Sequence, residues 1–439
     1  MLSLTRVSLA RGKRLLARDL DLQLDRPGLN VLHGASGCGK SSLLRLLKGL
    51  LAPAAGERHL ASGMREADIG LLLPDPQNQL LSDTVLGDLS LPLRYRGLPR
   101  ERILERCETL GRELGLLNHF SHHPRTLSGG MQQLLCLGAI LIQEPRVLLL
   151  DEVCTFLDRE HRARLAEIVR ARSATAAVLQ VSHRAEVALA ADRLLELCPT
   201  GLRESDRPSP DSPVIQTLVS AAIPHEQPLP AARAGEEGPW LALDGLQFQW
   251  PDACVVLFDR MSARLPLGQG CLLTGNQEAG KSTLILLAAG LLQPTAGRIG
   301  LEHGQALPLF QFSEKQFTGD ILEHELLEGR PEETDELHSL WERAGLKAER
   351  LLGPARHLAS GERRLAALVS LLLLKPAALL LDEPFTGLDA SGVRRLRSLL
   401  ADWRDRGGGL LVATHDPELV ADLCSSHWKI GAGELISLR

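Results

Sequence analysis

The stretch Gly34-Ala35-Ser36-Gly37-Cys38-Gly39-Lys40-Ser41 fits the phosphate-binding pattern of a glycine, four further residues and then Gly-Lys-Ser. A second stretch of the same form stands in the other half of the chain, Gly275-Asn276-Gln277-Glu278-Ala279-Gly280-Lys281-Ser282. An apolar run precedes each stretch, at 29–32 and 271–274, and predicts a buried strand that leads directly into the loop. We therefore expect one nucleotide-binding unit that occurs twice.

A glycine loop of this kind binds phosphate groups because its backbone N–H groups and the N-terminus of the following helix point at them. The loop lysine is expected to reach the β and γ phosphates of the nucleotide. The hydroxyl group of Ser41 or Ser282 is expected to bind Mg²⁺. The candidate nucleotide-binding residues extend one position further in each copy, to Ser42 and Thr283.

An acidic pair follows a short apolar run in each half of the chain, Asp151-Glu152 and Asp382-Glu383. The aspartate can hold Mg²⁺, and the glutamate can polarise an attacking water. An acidic pair at a strand end is often only a solvated cap. Its occurrence together with a glycine loop, in both halves, favours catalysis.

Further apolar runs of four residues predict strands at 147–150, 178–181, 378–381 and 410–413. Runs of this kind are typical of parallel strands that are covered on both faces. Helical stretches alternate with these runs. The predicted fold class is α/β, with two tandem P-loop nucleotide-binding domains that each contain a largely parallel core sheet and a helical subdomain.

The chain of 439 residues is long enough for two domains of about 200 residues each. We expect the first domain at 1–202 and the second at 239–439. The residues between them, 203–238, are rich in proline, with serine, alanine and glutamate. This composition predicts an extended linker.

The bulk composition disfavours several classes of protein. The net charge of -5 and the pI of about 6.3 give no indication of binding to nucleic acid. The longest apolar run, Leu365–Leu374, is too short to span a bilayer, and the first residues lack the features of a signal peptide. The eight cysteines are scattered, so neither a disulfide framework nor a zinc site is expected.

The stretch Leu127-Ser128-Gly129-Gly130-Met131-Gln132 resembles the signature sequence of ATP-binding cassette (ABC) proteins. The resemblance covers essentially the whole chain outside the linker and implies ATP and Mg²⁺ as cofactors. In this family the signature serine and glycines of one cassette close over the γ-phosphate that the other cassette's loop holds. The resemblance therefore implies that Ser128, Gly129 and Gly130 bind nucleotide and that the two domains pair within one chain.

Other elements of the ABC family follow in the family's order. Residues 156–158 and 387–389 match the segments after the catalytic glutamate, and His183 and His415 match the switch histidines. A lone histidine after a strand is more often structural. Its place in this ordered series, found twice, favours a catalytic role beside the glutamate of each copy.

A narrower resemblance lies in 73–80 and 310–317, which look like the Gln-loop of energy-coupling factor (ECF) and cobalt-type importer ATPases. The next segments, 83–88 and 319–325, match the stretch that follows the Gln-loop in that group. The resemblance implies that Gln311 contacts Mg²⁺ and the attacking water. It also implies an ATPase that drives uptake of a small micronutrient.

The partners implied by this resemblance are a membrane-embedded coupling subunit of the T type and a separate substrate-binding membrane subunit. The chain itself is then expected at the cytoplasmic face of the plasma membrane, as a peripheral subunit. Two alternatives remain open: a soluble ABC protein that acts on ribosomes or DNA, and the ATPase of a sugar or peptide transporter. The Pro-rich linker and the lack of zinc-binding cysteine pairs disfavour the soluble class.

The first copy departs from the family pattern at its nucleotide site. For the loop with Lys40, the Gln-loop position is Pro74, whose side chain offers no amide. No aromatic residue stands near Ala10-Arg11 to stack on adenine. The opposing signature has Ala359 in place of the serine, and loss of one preorganised donor costs roughly 3–4 kcal/mol of barrier. We expect this site to be impaired.

The second site, at Lys281, keeps Trp250 for stacking on adenine and is opposed by the intact Ser128. One feature disfavours it, because Glu278 replaces a usual glycine and a carboxylate near phosphates is unfavourable. We still predict that this site is the competent one. Its other implied catalytic and metal-binding residues are Gln311, Asp382, Glu383 and His415.

Overall fold

The computed structural model describes residues 2–11, 14–35, 37–76, 79–154, 157, 159–205, 239–251, 256–266, 268–276, 279–301, 304–310, 317, 319, 321–328, 330–431 and 433–438. The chain divides into two compact units, Met1–Val219 and Ser220–Arg439. The predicted linker at 203–238 lies outside the described residues except for 203–205, which belong to a strand. The predicted domain boundaries therefore stay predictions.

The first unit begins with an antiparallel ribbon and continues into alternating strands and helices. Its strands are β1 (Leu2–Arg11), β2 (Arg14–Leu24), β3 (Gly28–His33), β4 (Ala55–Leu60), β5 (Ile69–Leu72), β6 (Val147–Asp151), β7 (Ala177–Val181), β8 (Arg193–Cys198) and β9 (Gly201–Ser205). Its helices are α1 (Lys40–Leu47), α2 (Val85–Tyr95), α3 (Arg100–Leu114), α4 (Gly129–Leu141), α5 (Arg159–Ser173) and α6 (Ala185–Leu189).

The second unit repeats this order of elements. Its strands are β10 (Pro239–Phe248), β11 (Phe258–Pro266), β12 (Gly270–Gly275), β13 (Ala296–Leu301), β14 (Ala306–Leu309), β15 (Ala378–Asp382), β16 (Gly409–Ala413), β17 (Ser426–Gly431) and β18 (Glu434–Ser437). Its helices among the described residues are α7 (Lys281–Ala288), α8 (Leu322–Leu327), α9 (Thr334–Arg343), α10 (Ser360–Leu373) and α11 (Ala390–Asp405).

Each unit contains one six-stranded sheet, with the order β5-β6-β7-β3-β8-β9 in the first unit and β14-β15-β16-β12-β17-β18 in the second. All neighbouring strands in these sheets are parallel except the last pair, β8 with β9 and β17 with β18. The α/β class with a largely parallel core sheet is confirmed. All six of the apolar runs predicted as strands lie in β3, β6, β7, β12, β15 and β16.

Each unit also contains a three-stranded antiparallel sheet that the sequence pattern did not predict, β2-β1-β4 and β11-β10-β13. Non-glycine residues in the left-handed region interrupt the pairing of these strands, including Arg6, Asp19 and Arg260. The register shifts between Leu4 and Val7 at the first of these positions. Bulges of this kind break the alternation of apolar residues by which a strand is recognised.

The parallel sheet of the first unit is covered on both faces, as its continuous apolar strands require. Val147 and Leu149 of β6 pack in a cluster with α1 and the antiparallel sheet. Leu148 and Leu150 of the same strand pack in a second cluster with α2, α3, α4 and α5. Helices α2 to α4 contact one another and form the predicted helical subdomain.

The second unit has the same layering, with its own pair of clusters on the two faces of its parallel sheet. Its helical subdomain contains α8, α9 and α10, which share one of these clusters. Across the part of the chain that the structure describes, no helix has both the length and the apolar character needed to cross a membrane.

Candidate nucleotide-binding sites

The strand order brings the predicted catalytic motifs of each copy to one edge of the parallel sheet. In the first unit β6, β7 and β3 are neighbours, and each ends next to a motif: the acidic pair, His183 and the glycine loop. In the second unit β15, β16 and β12 have the same relation to Glu383, His415 and the second loop. The carboxyl edge of a parallel sheet is where such folds bind ligands.

The first glycine loop needs glycine for steric reasons. Gly39 has a φ of 110° where it precedes α1. A Cβ atom on Gly34 would lie 2.8 Å from the carbonyl oxygen of Leu197. The buried Lys40 donates from Nζ to the carbonyl oxygens of Gly34, at 2.8 Å, and Ala35, at 3.1 Å. The lysine ammonium group therefore lies against the loop that is predicted to hold phosphates.

The second glycine loop has the same geometry. Gly280 has a φ of 96° before α7. The buried Lys281 donates from Nζ to the carbonyl oxygens of Gly275, at 2.8 Å, and Asn276, at 3.0 Å. The two units thus present equivalent lysines at equivalent loops.

Most other predicted loop residues are also described. Those that continue the two loops and the first helical turns are Gly37, Cys38, Ser41, Ser42, Ala279, Ser282 and Thr283. Three loop predictions lie outside the described residues, namely Ser36, Gln277 and Glu278. The influence of Glu278 on the second site therefore stays a prediction.

Asp151 lies at the end of β6 as a buried carboxylate beside the hydroxyl of Ser41. Burial is the main cause that raises its pKa to about 6, and the neighbouring Glu152 adds to the rise. The hydroxyl of Ser41 and the positive charges of Lys40 and Arg45 oppose this rise. A buried carboxylate beside a serine hydroxyl fits the oxygen ligand set that Mg²⁺ prefers.

Asp382 takes the same place at the end of β15. Burial raises its pKa, while a hydrogen bond from the Ser282 hydroxyl and the charges of Lys281 and Arg364 lower it. The pairing of this carboxylate with a serine hydroxyl likewise fits Mg²⁺. The predicted metal-binding pairs, Ser41 with Asp151 and Ser282 with Asp382, are therefore each brought together within one unit.

Glu383 is held on several sides. Its φ of 49° lies in the left-handed region, which is strained for a glutamate. Its backbone N–H donates to the carbonyl oxygen of Ala413 at 2.8 Å. Its Oε2 accepts from the Thr414 hydroxyl and the His415 N–H, both at 3.2 Å. The other carboxylate oxygen, Oε1, lies 3.5 Å from Nε2 of His415.

The pKa of Glu383 is raised to about 8, mainly by burial and then by the charge of Asp382. Its side chain is 12% exposed. A carboxyl group with a pKa near neutral pH is suited to accept a proton during a reaction. The strained, tightly held glutamate therefore has the properties of a general base.

The equivalent glutamate of the first copy has the same backbone conformation. Glu152 has a φ of 48°, and its Oε1 lies 3.3 Å from Nε2 of His183. Both copies therefore bring together the predicted catalytic glutamate and the predicted switch histidine.

The two signature segments differ at the start of the helix that follows them. Ser128 caps α4, because its hydroxyl oxygen accepts from the backbone N–H of Met131 at 3.3 Å. Ala359 has no such oxygen, and its own N–H donates instead to the side chain of Glu362 at 2.8 Å. Gly129 has open space where a Cβ would stand, and Gly130 is buried in the first turn. The N-cap position of α4 therefore carries a serine hydroxyl, whereas that of α10 is an alanine and the first residue of α10 is Ser360.

An aromatic series connects Trp250 with the second glycine loop. Trp250 is 42% exposed and meets Phe248 edge to face at a ring distance of 5.2 Å. Phe248 lies 6.5 Å from Phe258, whose ring would stand 2.6 Å from a Cβ on Gly280. The exposed indole is thus linked by ring contacts, through Phe248 and Phe258, to the phosphate loop. This geometry suits stacking on a base.

At the first loop the corresponding neighbours are aliphatic. A Cβ on Gly39 would meet the side chains of Leu9, at 3.0 Å, and Leu16, at 3.1 Å. The aromatic series that supports Trp250 is therefore replaced by leucines beside this loop.

The Gln-loop positions are only partly described. Pro74 follows Leu73, whose carbonyl oxygen accepts from the side-chain amides of Gln79 and Gln133, both at 3.2 Å. Gln311 lies outside the described residues, so its role stays a prediction.

Two contacts at the second site were not predicted from the sequence. Thr414 bonds the carboxylate of Glu383, and Arg364 donates to the carbonyl oxygen of Glu383. The position of Thr414, directly before His415, was a usable signal. Nothing in the sequence pattern indicated Arg364.

The raised pKa of Glu383 predicts a pH-dependent stability. The unfolded chain ionises this group near pH 4.5 and the folded protein near pH 8, so the folded state loses stability as pH rises across that window. We expect Glu383→Gln, measured by calorimetry without nucleotide, to raise the melting temperature by at least about 4 °C at pH 8. The gain in melting temperature should be close to zero at about pH 4.5, where the group is still protonated in the folded protein.

The matched control is Glu434→Gln, which changes an exposed glutamate of the same unit. It should give no gain that depends on pH. An increase for Glu383→Gln that is the same at both ends of the window would contradict the assigned ionisation.

Comparison with known proteins supports the reading of the duplicated motifs. The ABC transporter family model matches residues 17–155 and 258–386, which together make up more than half of the chain. A putative ABC transporter ATP-binding protein of Bifidobacterium longum is 27% identical over 95% of this chain and 63% of its own length. An uncharacterized ABC transporter ATP-binding protein of Mycobacterium tuberculosis is 32% identical over 90% of this chain and 56% of its own length.

Other relatives are closer to this chain in length. A putative ABC transporter ATP-binding protein of Methanosarcina acetivorans is 28% identical over 92% of this chain and 80% of its own length. The chain spans less than two thirds of the Bifidobacterium longum and Mycobacterium tuberculosis proteins.

Solved structures share the fold at lower sequence identity. An archaeal ribosome recycling factor, aABCE1, in complex with the ribosomal stalk protein aP1, matches with a TM-score of 0.66 and 17% identity. That match covers 99% of this chain and 90% of the other. RNase-L Inhibitor matches with a TM-score of 0.65 and 17% identity, over 99% and 91% of the two chains. Because the family model matches both halves and both halves contain the same site geometry, the chain belongs to the ABC transporter family, with two copies of its ATPase domain.

Proposed function

We propose that this chain is the ATP-hydrolysing subunit of an importer of the ECF type, and that it couples ATP binding and hydrolysis to uptake of a small micronutrient through separate membrane subunits. The observation that carries the ATPase assignment is Glu383. The carboxylate of this glutamate, whose side chain is 12% exposed, accepts hydrogen bonds from Thr414 and His415 at the sheet edge where the buried Lys281 and Asp382 also lie.

The proposed roles in the second unit follow from these positions. Lys281 would leave its loop carbonyls for the β and γ phosphates of ATP, and Ser282 with Asp382 would hold Mg²⁺. Mg²⁺, when bound, neutralises charge on the transferred phosphate. Glu383 would orient the attacking water and take its proton as the bond from the γ-phosphorus to the bridging oxygen breaks. Trp250 would stack on the adenine.

We further propose that the two sites are unequal. In the family's head-to-tail pairing, the loop of one copy faces the signature of the other. The site at Lys40 would then face Ala359, which has no hydroxyl, and would have Pro74 in place of a glutamine. The site at Lys281 would face Ser128, whose hydroxyl stands at the N-terminus of α4. The proposal is therefore hydrolysis mainly at the second loop, with nucleotide binding at both.

A groove in the second unit supports a membrane partner. It has a volume of about 790 Å³, and its lining includes Phe317, the last residue of the segment that resembles the Gln-loop. Its apolar lining includes the half-buried or exposed side chains Phe317, Ile321, Leu371 and Leu374, and its charged lining includes Glu325, Glu328 and Arg330. An apolar groove with charged side chains suits an amphipathic helix.

In both copies an acidic side chain accepts hydrogen bonds from the backbone of the segment that follows the Gln-loop. In the first unit, Asp88 accepts from the backbone N–H groups of Leu81, at 2.8 Å, and Ser82, at 2.9 Å. In the second unit, Glu325 accepts from the N–H of Gly319 at 3.0 Å. Leu81 is 77% exposed on its ordered segment. Both segments are therefore candidates to contact a coupling subunit, at the cytoplasmic face of the plasma membrane.

Catalytic asymmetry is tested by removing one general base at a time. We expect Glu383→Gln to lower steady-state ATP turnover of the assembled complex by at least about 100-fold, because a positioned base contributes a factor of this order. We expect Glu152→Gln, the same change in the first copy, to leave turnover within about threefold of the parent. Phosphate release provides the rate. Equal losses in the two variants would refute the assignment of the competent site.

Membrane docking is tested by placing charge on the two segments. We expect Leu81→Glu combined with Ile321→Glu to release the chain from the membrane fraction of cells, because a carboxylate cannot enter an apolar interface without a partner. Both side chains are exposed, so the chain should remain folded. The control is Leu50→Glu, an exposed leucine next to α1, which should stay with membranes.

Measurements on the unsubstituted chain distinguish the alternative functions. Sedimentation of the parent chain with ribosomes, or ATP hydrolysis stimulated by ribosomes or DNA, would favour the soluble class. Purification of the parent together with a sugar or peptide permease would keep the transport role and exclude the ECF type.

A further inference from the structure

Arg364 is a buried cation that connects two segments of the second nucleotide site. It lies near the start of α10 and is 5% exposed. One guanidinium nitrogen, Nη1, donates to the carbonyl oxygen of Phe310 at 3.2 Å and to that of Glu383 at 3.3 Å. Phe310 directly precedes the predicted Gln-loop residue, and Glu383 is the proposed base. One side chain therefore ties both segments to the signature helix.

The first copy has a neutral residue at the same position. Gln133 is fully buried in α4, and its amide nitrogen donates to the carbonyl oxygen of Leu73 at 3.2 Å. In the described part of the first unit, its amide oxygen has no hydrogen-bond partner, and it makes no bond to Glu152. The bond to the Gln-loop segment is thus common to both copies. Of these two residues, only Arg364 also donates a hydrogen bond to the proposed catalytic glutamate of its own unit.

The positive charge of Arg364 also acts on the acidic pair. It lowers the pKa of Asp382, whose burial raises it. A buried guanidinium is costly unless its charge and its N–H groups are met. Here the guanidinium donates hydrogen bonds to the carbonyl oxygens of Phe310 and Glu383, and its charge interacts with the carboxylate of Asp382. A lysine could not reproduce this arrangement fully, because it lacks the planar fork of an arginine.

The backbone of Glu383 gives this contact a mechanical role. Its left-handed φ of 49° is strained and persists only where the surroundings hold it. The bond to Ala413 holds its N–H, and Arg364 holds its carbonyl oxygen. A shift of the peptide would move the carboxylate away from the attacking water.

We propose that Arg364 is a positioning residue for ATP hydrolysis at the second site, where it fixes the main chain of Glu383 relative to the Gln-loop segment. The inference rests on the proposed hydrolysis at that site. Arg364 acts through Glu383 and does not itself touch the reacting atoms. It is a contact that the first copy lacks, and it adds to the difference between the two sites.

The test compares Arg364→Gln with Arg364→Lys in the full-length chain. Glutamine is the residue of the first copy, so the pocket of this fold accepts it. We expect Arg364→Gln to lower kcat for ATP hydrolysis by about 10- to 100-fold, the usual effect of removing a supporting contact, and to leave KM for MgATP within about threefold. Arg364→Lys should recover part of the lost kcat, because its ammonium keeps the charge and one donor.

The control variant is Gln133→Met, which removes the equivalent amide from the first copy. It should leave kcat within about twofold of the parent. Melting temperatures of all variants are measured in the same buffer. If Arg364→Gln does not fold, Arg364→Lys decides alone: a lowered kcat with unchanged KM supports positioning, and the parent's kcat overturns it.

Other outcomes are equally decisive. Loss of kcat together with a raised KM and a lowered melting temperature, without recovery in Arg364→Lys, would assign Arg364 a purely structural role. If Glu383→Gln abolishes turnover while Arg364→Gln stays within about twofold of the parent, only the role of Arg364 fails. If Glu383→Gln retains turnover, the proposed hydrolytic site fails and this inference fails with it.

Discussion

The burial of an acidic pair at the end of a central parallel strand is the constraint on which both sites depend. Asp382 and Glu383 are adjacent carboxyl groups with raised pKa values, and each would be unstable without groups that meet its charge. The sheet supplies those groups from neighbouring strands. Lys281 and Ser282 follow β12, and Thr414 and His415 follow β16. The order of the strands therefore determines which side chains surround the acidic pair.

The same constraint explains how one fold could hold two sites of the unequal activity that we propose. Both copies keep the lysine, the serine, the acidic pair and the histidine, because these groups stabilise one another at the sheet edge. The two copies differ in the residues that surround these shared groups. The second copy has Trp250 and Arg364, where the first has leucine neighbours at the loop and a neutral Gln133. A protein can lose such surrounding groups in one copy while the fold of that copy is retained.

Much of the fold and of the site could be predicted from the sequence, because local pattern and local structure coincide there. The strands at 147–150 and 410–413 are continuous apolar runs, and the motifs that follow them are read directly. The antiparallel sheets were missed, since residues such as Arg6 interrupt the alternation of β1. Arg364 was missed for another reason. Its bond to Phe310 joins residues far apart in the sequence, and only the packed structure brings them together.

ATP hydrolysis mainly at the second loop is the property that would distinguish the two sites. Vanadate trapping with photoreactive 8-azido-ATP tests it most directly, because trapping requires the site to turn over. The assembled complex is trapped and irradiated, and the labelled peptides are identified by mass spectrometry. Hydrolysis mainly at the second loop predicts that most of the label lies in the second unit, on peptides that include Trp250. Equal labelling of the two units, or label confined to the first, would contradict it.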